Sequence, residues 1–135
     1  MKTPEEIVQE MMNGDYFSQW LGVNVLETKQ GSCLLNMIVT KDMVNGFTIA
    51  HGGISYSLAD SALAFASNGY GYKCVSIETS ISHTRPVQIG DELTAFCEEL
   101  NRGKTIGVYQ VVVKNQLEKI VALFKGTVHI SKEEW

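Results

Sequence analysis

The stretch Gly53-Ile54-Ser55-Tyr56-Ser57-Leu58-Ala59-Asp60-Ser61-Ala62-Leu63-Ala64-Phe65-Ala66-Ser67-Asn68 decides the fold. It is rich in Ala and Leu, lacks Pro, and is apolar or small on every face, which describes a helix enclosed by other structure. The thirty residues from Met43 to Tyr72 carry one charged side chain, Asp60, where the chain average of 19% would give about six.

Downstream the period changes to that of strands. Cys74 to Thr84, Asp91 to Leu100, Thr105 to Lys114 and Ile120 to Ile130 read as four strands, reversed at Asn101-Arg102-Gly103-Lys104 and around Asn115-Gln116. Upstream, Val23 to Leu26 and Cys33 to Val39 flank a turn at Lys29-Gln30-Gly31 and read as a hairpin. The N-terminal segment reads as a helix, with Thr3 as N-cap, Pro4 at the first position and Glu6 closing a capping box. Ile7, Met11 and Met12 recur at helical spacing, and Phe17, Trp20 and Leu21 follow a break at Asn13-Gly14-Asp15; the stripe reads as a core face. The order helix, two strands, long central helix, four strands predicts an α+β domain in which about six antiparallel strands enclose the helix.

Composition narrows the class. A chain of 135 residues, 44% hydrophobic, builds one domain over residues 1–135 with its own core. Eleven Lys and Arg against 15 Asp and Glu give a net charge of −4, so no overall positive field draws the protein to nucleic acid or an anionic membrane. Cys33, Cys74 and Cys97 are odd in number and far apart, as expected of reduced thiols. His51, His83 and His129 are equally dispersed, and no metal site or cofactor is expected. Acids stand where a secretory leader would need an apolar run, so the expected compartment is the cytoplasm.

Asp60 is the sharpest feature. A carboxylate in a buried helix must be paired, wet or functional, because unpaired burial costs several kcal/mol or raises its pKa. It is either bonded to Ser or Tyr hydroxyls in the core or at a subunit interface, or it is a general base or nucleophile. At the entry to the helix, Asn45-Gly46 and His51-Gly52-Gly53 offer free backbone N–H groups at the positive end of the dipole, which suits an oxyanion. The same residues are also explained as a common turn and as relief of crowding. Gly52 and Asp60 are two helical turns apart, roughly 12 Å at 1.5 Å per residue, so one carbonyl cannot easily reach both. If both act on one carbon, they come from different chains around a two-fold axis.

The run Asn45-Gly46-Phe47-Thr48-Ile49-Ala50-His51-Gly52-Gly53 through Asp60, with Thr84-Arg85-Pro86 and Gly90-Asp91-Glu92-Leu93-Thr94-Ala95 later, resembles hotdog-fold acyl-CoA thioesterases. Within that family it is similar to the phenylacetate-degradation subfamily. The resemblance implies a long helix wrapped by a curved antiparallel sheet, and homodimers that often pair into homotetramers. It further implies that Gly52 N–H and Asn45 hold the thioester oxygen, that His51 shapes or assists that side, and that Asp60 of the partner activates water or attacks the carbonyl. Ser76 matches a hydroxyl that holds the lytic water in some members. Ala64 stands where a related subfamily carries a hydroxyl, which disfavours that subfamily's arrangement.

Such a substrate, an acyl-CoA, brings phosphates that need cations, and Arg85, Lys73, Arg102 and Lys104 are the candidates; Arg85 alone has the family's Arg-Pro context. Tyr56, Leu63, Phe65, Phe47 and Met43 either line an acyl pocket or pack the core. A hotdog protein that holds acyl-CoA without hydrolysing it is the alternative function, disfavoured by the isolated carboxylate. A hotdog dehydratase is disfavoured because the helix and its preceding loop lack the His and Glu pattern of those enzymes.

Overall fold

A computed structural model describes residues 1–135. Helix α1 (Pro4–Gly14) is capped as its sequence predicts: Thr3 Oγ1 accepts from Glu6 N–H and the Glu6 carboxylate accepts from Thr3 N–H. Asp15 then ends α1 and caps α2 (Tyr16–Leu21) by accepting from Ser18 N–H at 2.9 Å. Strands β1 (Asn24–Lys29) and β2 (Ser32–Ile38) form the hairpin, and a 3-10 turn (Lys41–Met43) leads to the long helix α3 (Gly52–Asn68). Strands β3 (Tyr72–His83), β4 (Glu92–Arg102), β5 (Ile106–Lys114) and β6 (Ile120–Glu134) complete the chain.

The six strands form one antiparallel sheet in the order β1-β2-β4-β5-β6-β3. Strand β3 does not pair with its sequence neighbour β4. It leaves α3, crosses to the far edge and pairs with β6, while β4 docks on β2. The helix is thereby held across the concave face, in contact with every strand. Ile54, Leu58, Ala59, Ala62, Leu63, Phe65 and Ala66 are its buried apolar residues, in one core with Leu35, Met37, Ala95, Val111 and Phe124. Truncating one of these leucines to Ala costs about 2–5 kcal/mol, because the cavity it leaves does not fully collapse.

Three expectations need correction. The helix is not enclosed on every face: Gly53, Ser57, Asp60 and Ala64, at helical spacing, form a half-buried stripe. Phe17 and Trp20 are not core residues; both are 54% exposed and stack on each other with centroids 6.0 Å apart, whereas Ile7 and Leu21 are buried. Asn101 and Arg102 belong to β4 rather than to the turn, which closes at Gly103 with its N–H on the Ile106 carbonyl.

Cys33, Cys74 and Cys97 are free and buried. Cys33 and Cys97 face each other across β2 and β4, and burial pushes the Cys33 thiol up to about 12. Such thiols stay protonated, so they are not nucleophiles. No helix is long and apolar enough to cross a membrane.

Candidate active site

The first turn of α3 is built around His51, the N-cap, whose Nδ1 accepts the Gly53 N–H at 2.8 Å. The Ile54 N–H goes to the His51 carbonyl at 2.9 Å. Gly52 N–H has no acceptor in the protein, so it remains a free donor at the positive end of a 17-residue helix. The approach to the helix is pinned on both sides. His51 N–H donates to the Met43 carbonyl, Asn45 N–H to Ile49 and Ala50 N–H to Val87, each at 2.8 Å. The last of these draws the segment after β3 against the helix entry. Asn45 Oδ1 accepts the Phe47 N–H at 2.9 Å, and its Nδ2 makes no hydrogen bond within the protein.

These ties create a cleft of about 330 Å³ lined by Asn45, Gly52, Ser55, His83, Thr84 and Arg85 among others. Asn45, Gly52 and Arg85, singled out from the sequence, are thus brought together. His51 is not among the lining residues; its ring belongs to a neighbouring cleft of about 340 Å³ with Phe17, Trp20, Asp42, Gly53 and Ser57.

The imidazole beside Gly52 is that of His83, which sequence reasoning missed. A β-carbon on Gly52 would stand 3.1 Å from His83 Nε2, and one on Gly53 would stand 3.0 Å from His51 Nδ1. Each glycine of the pair therefore makes room for a different histidine. No local pattern around His83 announces this contact, since only the return of β3 and its following loop to α3 creates it.

Asp60 lies on the half-buried stripe and lines a smaller hollow of about 60 Å³ with Ser76, Ala64, Ser67 and Cys74. Of the two alternatives for this carboxylate, pairing within its own chain does not occur: Asp60 has no hydrogen bond or ion pair there, while the neighbouring Ser61 bonds Ser18 at 2.8 Å. Burial pushes its carboxyl above the ordinary range, and the Asp15 carboxylate adds to that shift. The hollow of Asp60 and Ser76 and the cleft of Asn45 and Gly52 share no lining residue.

The remaining candidates scatter. Lys73 pairs with Glu133 at 2.6 Å and sits over the Trp135 ring, and Lys104 is in the β4–β5 turn; neither lines the cleft. Arg102 donates to Tyr109 Oη at 2.9 Å and to the Ser67 carbonyl at 3.2 Å and stacks on Tyr70, so it secures the far end of α3. Leu63, Phe65 and Met43 are core, and Phe47 is 86% exposed. Tyr56 is half-buried, its hydroxyl 2.7 Å from Thr79 Oγ1. The largest cavity, about 490 Å³ between α1 and β1, holds none of the candidate residues and lies away from every donor just described.

Residues 47–122 match the model of the thioesterase superfamily. The chain is 39% identical over 119 residues to the acyl-coenzyme A thioesterase PaaI of Escherichia coli, spanning 88% of this chain and 85% of that one. The solved structure of the E. coli PaaI protein superposes with a TM-score of 0.95 at 35% identity, covering 97% of this chain and 95% of the other. A Streptococcus mutans protein solved bound to acetyl CoA superposes with a TM-score of 0.81 at 25% identity, over 84% of this chain and 91% of that one. With a helix-wrapping six-stranded sheet and a free N–H donor at the helix entry, the chain belongs to the thioesterase superfamily, in its hotdog-fold, PaaI-like branch.

Proposed function

We propose that this thioester hydrolase cleaves an acyl- or aryl-acyl-coenzyme A to the free acid and coenzyme A. The observation that carries the reading is the cleft at the head of α3, which Arg85 lines together with Gly52 and Asn45, whose N–H and Nδ2 are free donors. The donors receive the thioester oxygen, and Arg85 meets a coenzyme A phosphate. A thioester carbonyl resonates poorly with sulfur, so oxyanion stabilisation plus one carboxylate suffices for hydrolysis. Asp60 either activates the water, held by Ser76 in the same hollow, or attacks the carbonyl carbon to give an acyl–aspartyl anhydride that this water then hydrolyses to the free acid. The C–S bond breaks and the sulfur leaves as thiolate or thiol. The names of the PaaI relatives support phenylacetyl-type acyl groups.

The active unit is a homodimer in which Gly52 and Asn45 of one chain work with Asp60 of the other. The separation of the two hollows supports this, as does β3, an edge strand whose Val75 and Ile77 are 65% and 57% exposed. An apolar edge strand of this length needs a partner strand, and a second copy of β3 supplies one. Phe17 and Trp20 on the helix side and Phe96 and Leu123 on the outer sheet face offer surfaces for pairing dimers into a tetramer. The free thiols fit a reducing compartment, the cytoplasm. The test is a panel of short, long and aryl acyl-CoAs assayed for free thiol, with wild type and Asp60→Asn in parallel. Thiol release by wild type alone is expected. Binding without thiol release across the panel would favour a non-catalytic acyl-CoA carrier.

A further inference from the structure

We propose that His83 is a further catalytic residue, its Nε2–H donating to the same thioester oxygen as Gly52 N–H and Asn45 Nδ2. The inference rests on the reading of the cleft given above and adds a third donor to it.

His83 is the last residue of β3, paired with Ala122 of β6. Its backbone is fixed at the exit: Thr84 N–H donates to the Val121 carbonyl at 2.9 Å and Thr84 Oγ1 to Ile120 at 2.8 Å. The ring leans on the helix entry with its Nε2 end foremost. Measured from a β-carbon position on Gly52, Nε2 is 3.1 Å away, Cε1 3.3 Å and Cδ2 3.7 Å. The polar end of the imidazole is therefore the end that meets the helix, beside the free N–H. The ring makes no hydrogen bond to the protein, so Nε2 keeps its capacity for a ligand. Arg85 is the one charged side chain among the residues that line this cleft, and it too stands without an ion-pair partner.

His51 lines the neighbouring cleft rather than this one; its Nδ1 accepts the Gly53 N–H, which puts its own donor at Nε2 on that side. Donors held in place before the reaction stabilise charge that develops on oxygen, since they need no reorganisation as the tetrahedral intermediate forms. The His83 backbone is anchored at the end of β3 and its exposed ring stands beside Gly52, so the donor is at the site before the substrate oxygen arrives.

Steady-state kinetics with phenylacetyl-CoA and hexanoyl-CoA test the proposal in two variants. His83→Phe keeps a ring and loses the donor; His83→Gln keeps a donor and loses the ring. With both folded by circular dichroism, Phe is expected to lower kcat about tenfold to a hundredfold with KM within about twofold, and Gln to recover a large part of that loss. Wild-type kcat in His83→Phe would overturn the proposal, as would equal impairment of the two variants or a change confined to KM. Failure of wild type to release thiol from either substrate would overturn the reading of the cleft as well; an active wild type with an unimpaired Phe variant removes His83 alone.

Discussion

His51 Nδ1 accepts the Gly53 N–H at 2.8 Å, and that bond commits one of the two imidazoles at the head of α3 to structure. Replacing His51 with Ala is expected to lower the unfolding free energy by about 1 kcal/mol, the usual cost of a lost N-cap. Urea denaturation of wild type and variant measures it; unchanged stability would mean that another group takes over the cap.

Gly52 has the opposite relation to its histidine. In Gly52→Ala the new methyl stands 3.1 Å from His83 Nε2, closer than ordinary contact, so the ring must give way by a few tenths of an ångström and the donor leaves its place beside the Gly52 N–H. Thermal stability is expected to stay near wild type, since the ring is exposed and a small shift costs little, while kcat/KM falls about tenfold. Full activity in this variant would show that the space beside Gly52 is not used.

Asp60 makes stability depend on pH through its raised pKa. Burial comes first among the causes and the Asp15 carboxylate second. The folded chain thus holds this proton to higher pH than the unfolded chain does. Below the ordinary carboxylate range the residue is protonated in both states and imposes no penalty. As pH rises through the folded value, the carboxylate ionises in a half-dry site and stability is lost. Asp60→Asn is therefore expected to melt higher than wild type at pH 7, with the difference vanishing near pH 3, as thermal melts across that range would record. In the proposed mechanism the ionised carboxylate is the active form, so the acid limb of kcat/KM should lie above the ordinary aspartate value.

Much of this was legible in the chain. An Ala- and Leu-rich segment with one carboxylate between Met43 and Tyr72 reads as the enclosed helix because charge is too costly to bury along a whole element. The grouping of Asn45 with Gly52 was legible too, because the loop that joins them is short and local. What escaped is non-local. Placing β3 at the sheet edge beside β6 depends on where α3 delivers the chain, and no strand pattern encodes that destination. His83 meets Gly52 only as a result of that placement. Lys73 reads as a free cation until β6 brings Glu133 alongside it. Phe17 and Trp20 follow a core-like spacing, yet their short helix lies at the rim and leaves both rings outside.

The far end of α3 rests on Asn68, which is 1% exposed. Its Nδ2 donates to the Ala64 and Cys74 carbonyls at 2.8 and 3.2 Å, and its Oδ1 accepts from Cys74 N–H at 2.9 Å and Trp135 Nε1 at 2.8 Å. Asn68→Ala strands the buried backbone groups of Cys74 and is expected to cost about 3 kcal/mol in urea denaturation. Cys74 and Ala64 also wall the Asp60 hollow, so the variant should lose activity at temperatures where it remains folded.

In the proposed dimer each site draws its oxyanion donors and its carboxylate from different chains. Asn45→Ala and Asp60→Asn, each inactive or nearly so alone, can be co-expressed with different tags and the hybrid purified through both. A hybrid dimer holds one site with Asn45 and Gly52 from the Asp60→Asn chain and Asp60 from the Asn45→Ala chain. The expected result is thiol release at about half the wild-type rate per dimer, one intact site of two. A hybrid no more active than the two variants measured separately would contradict a shared site.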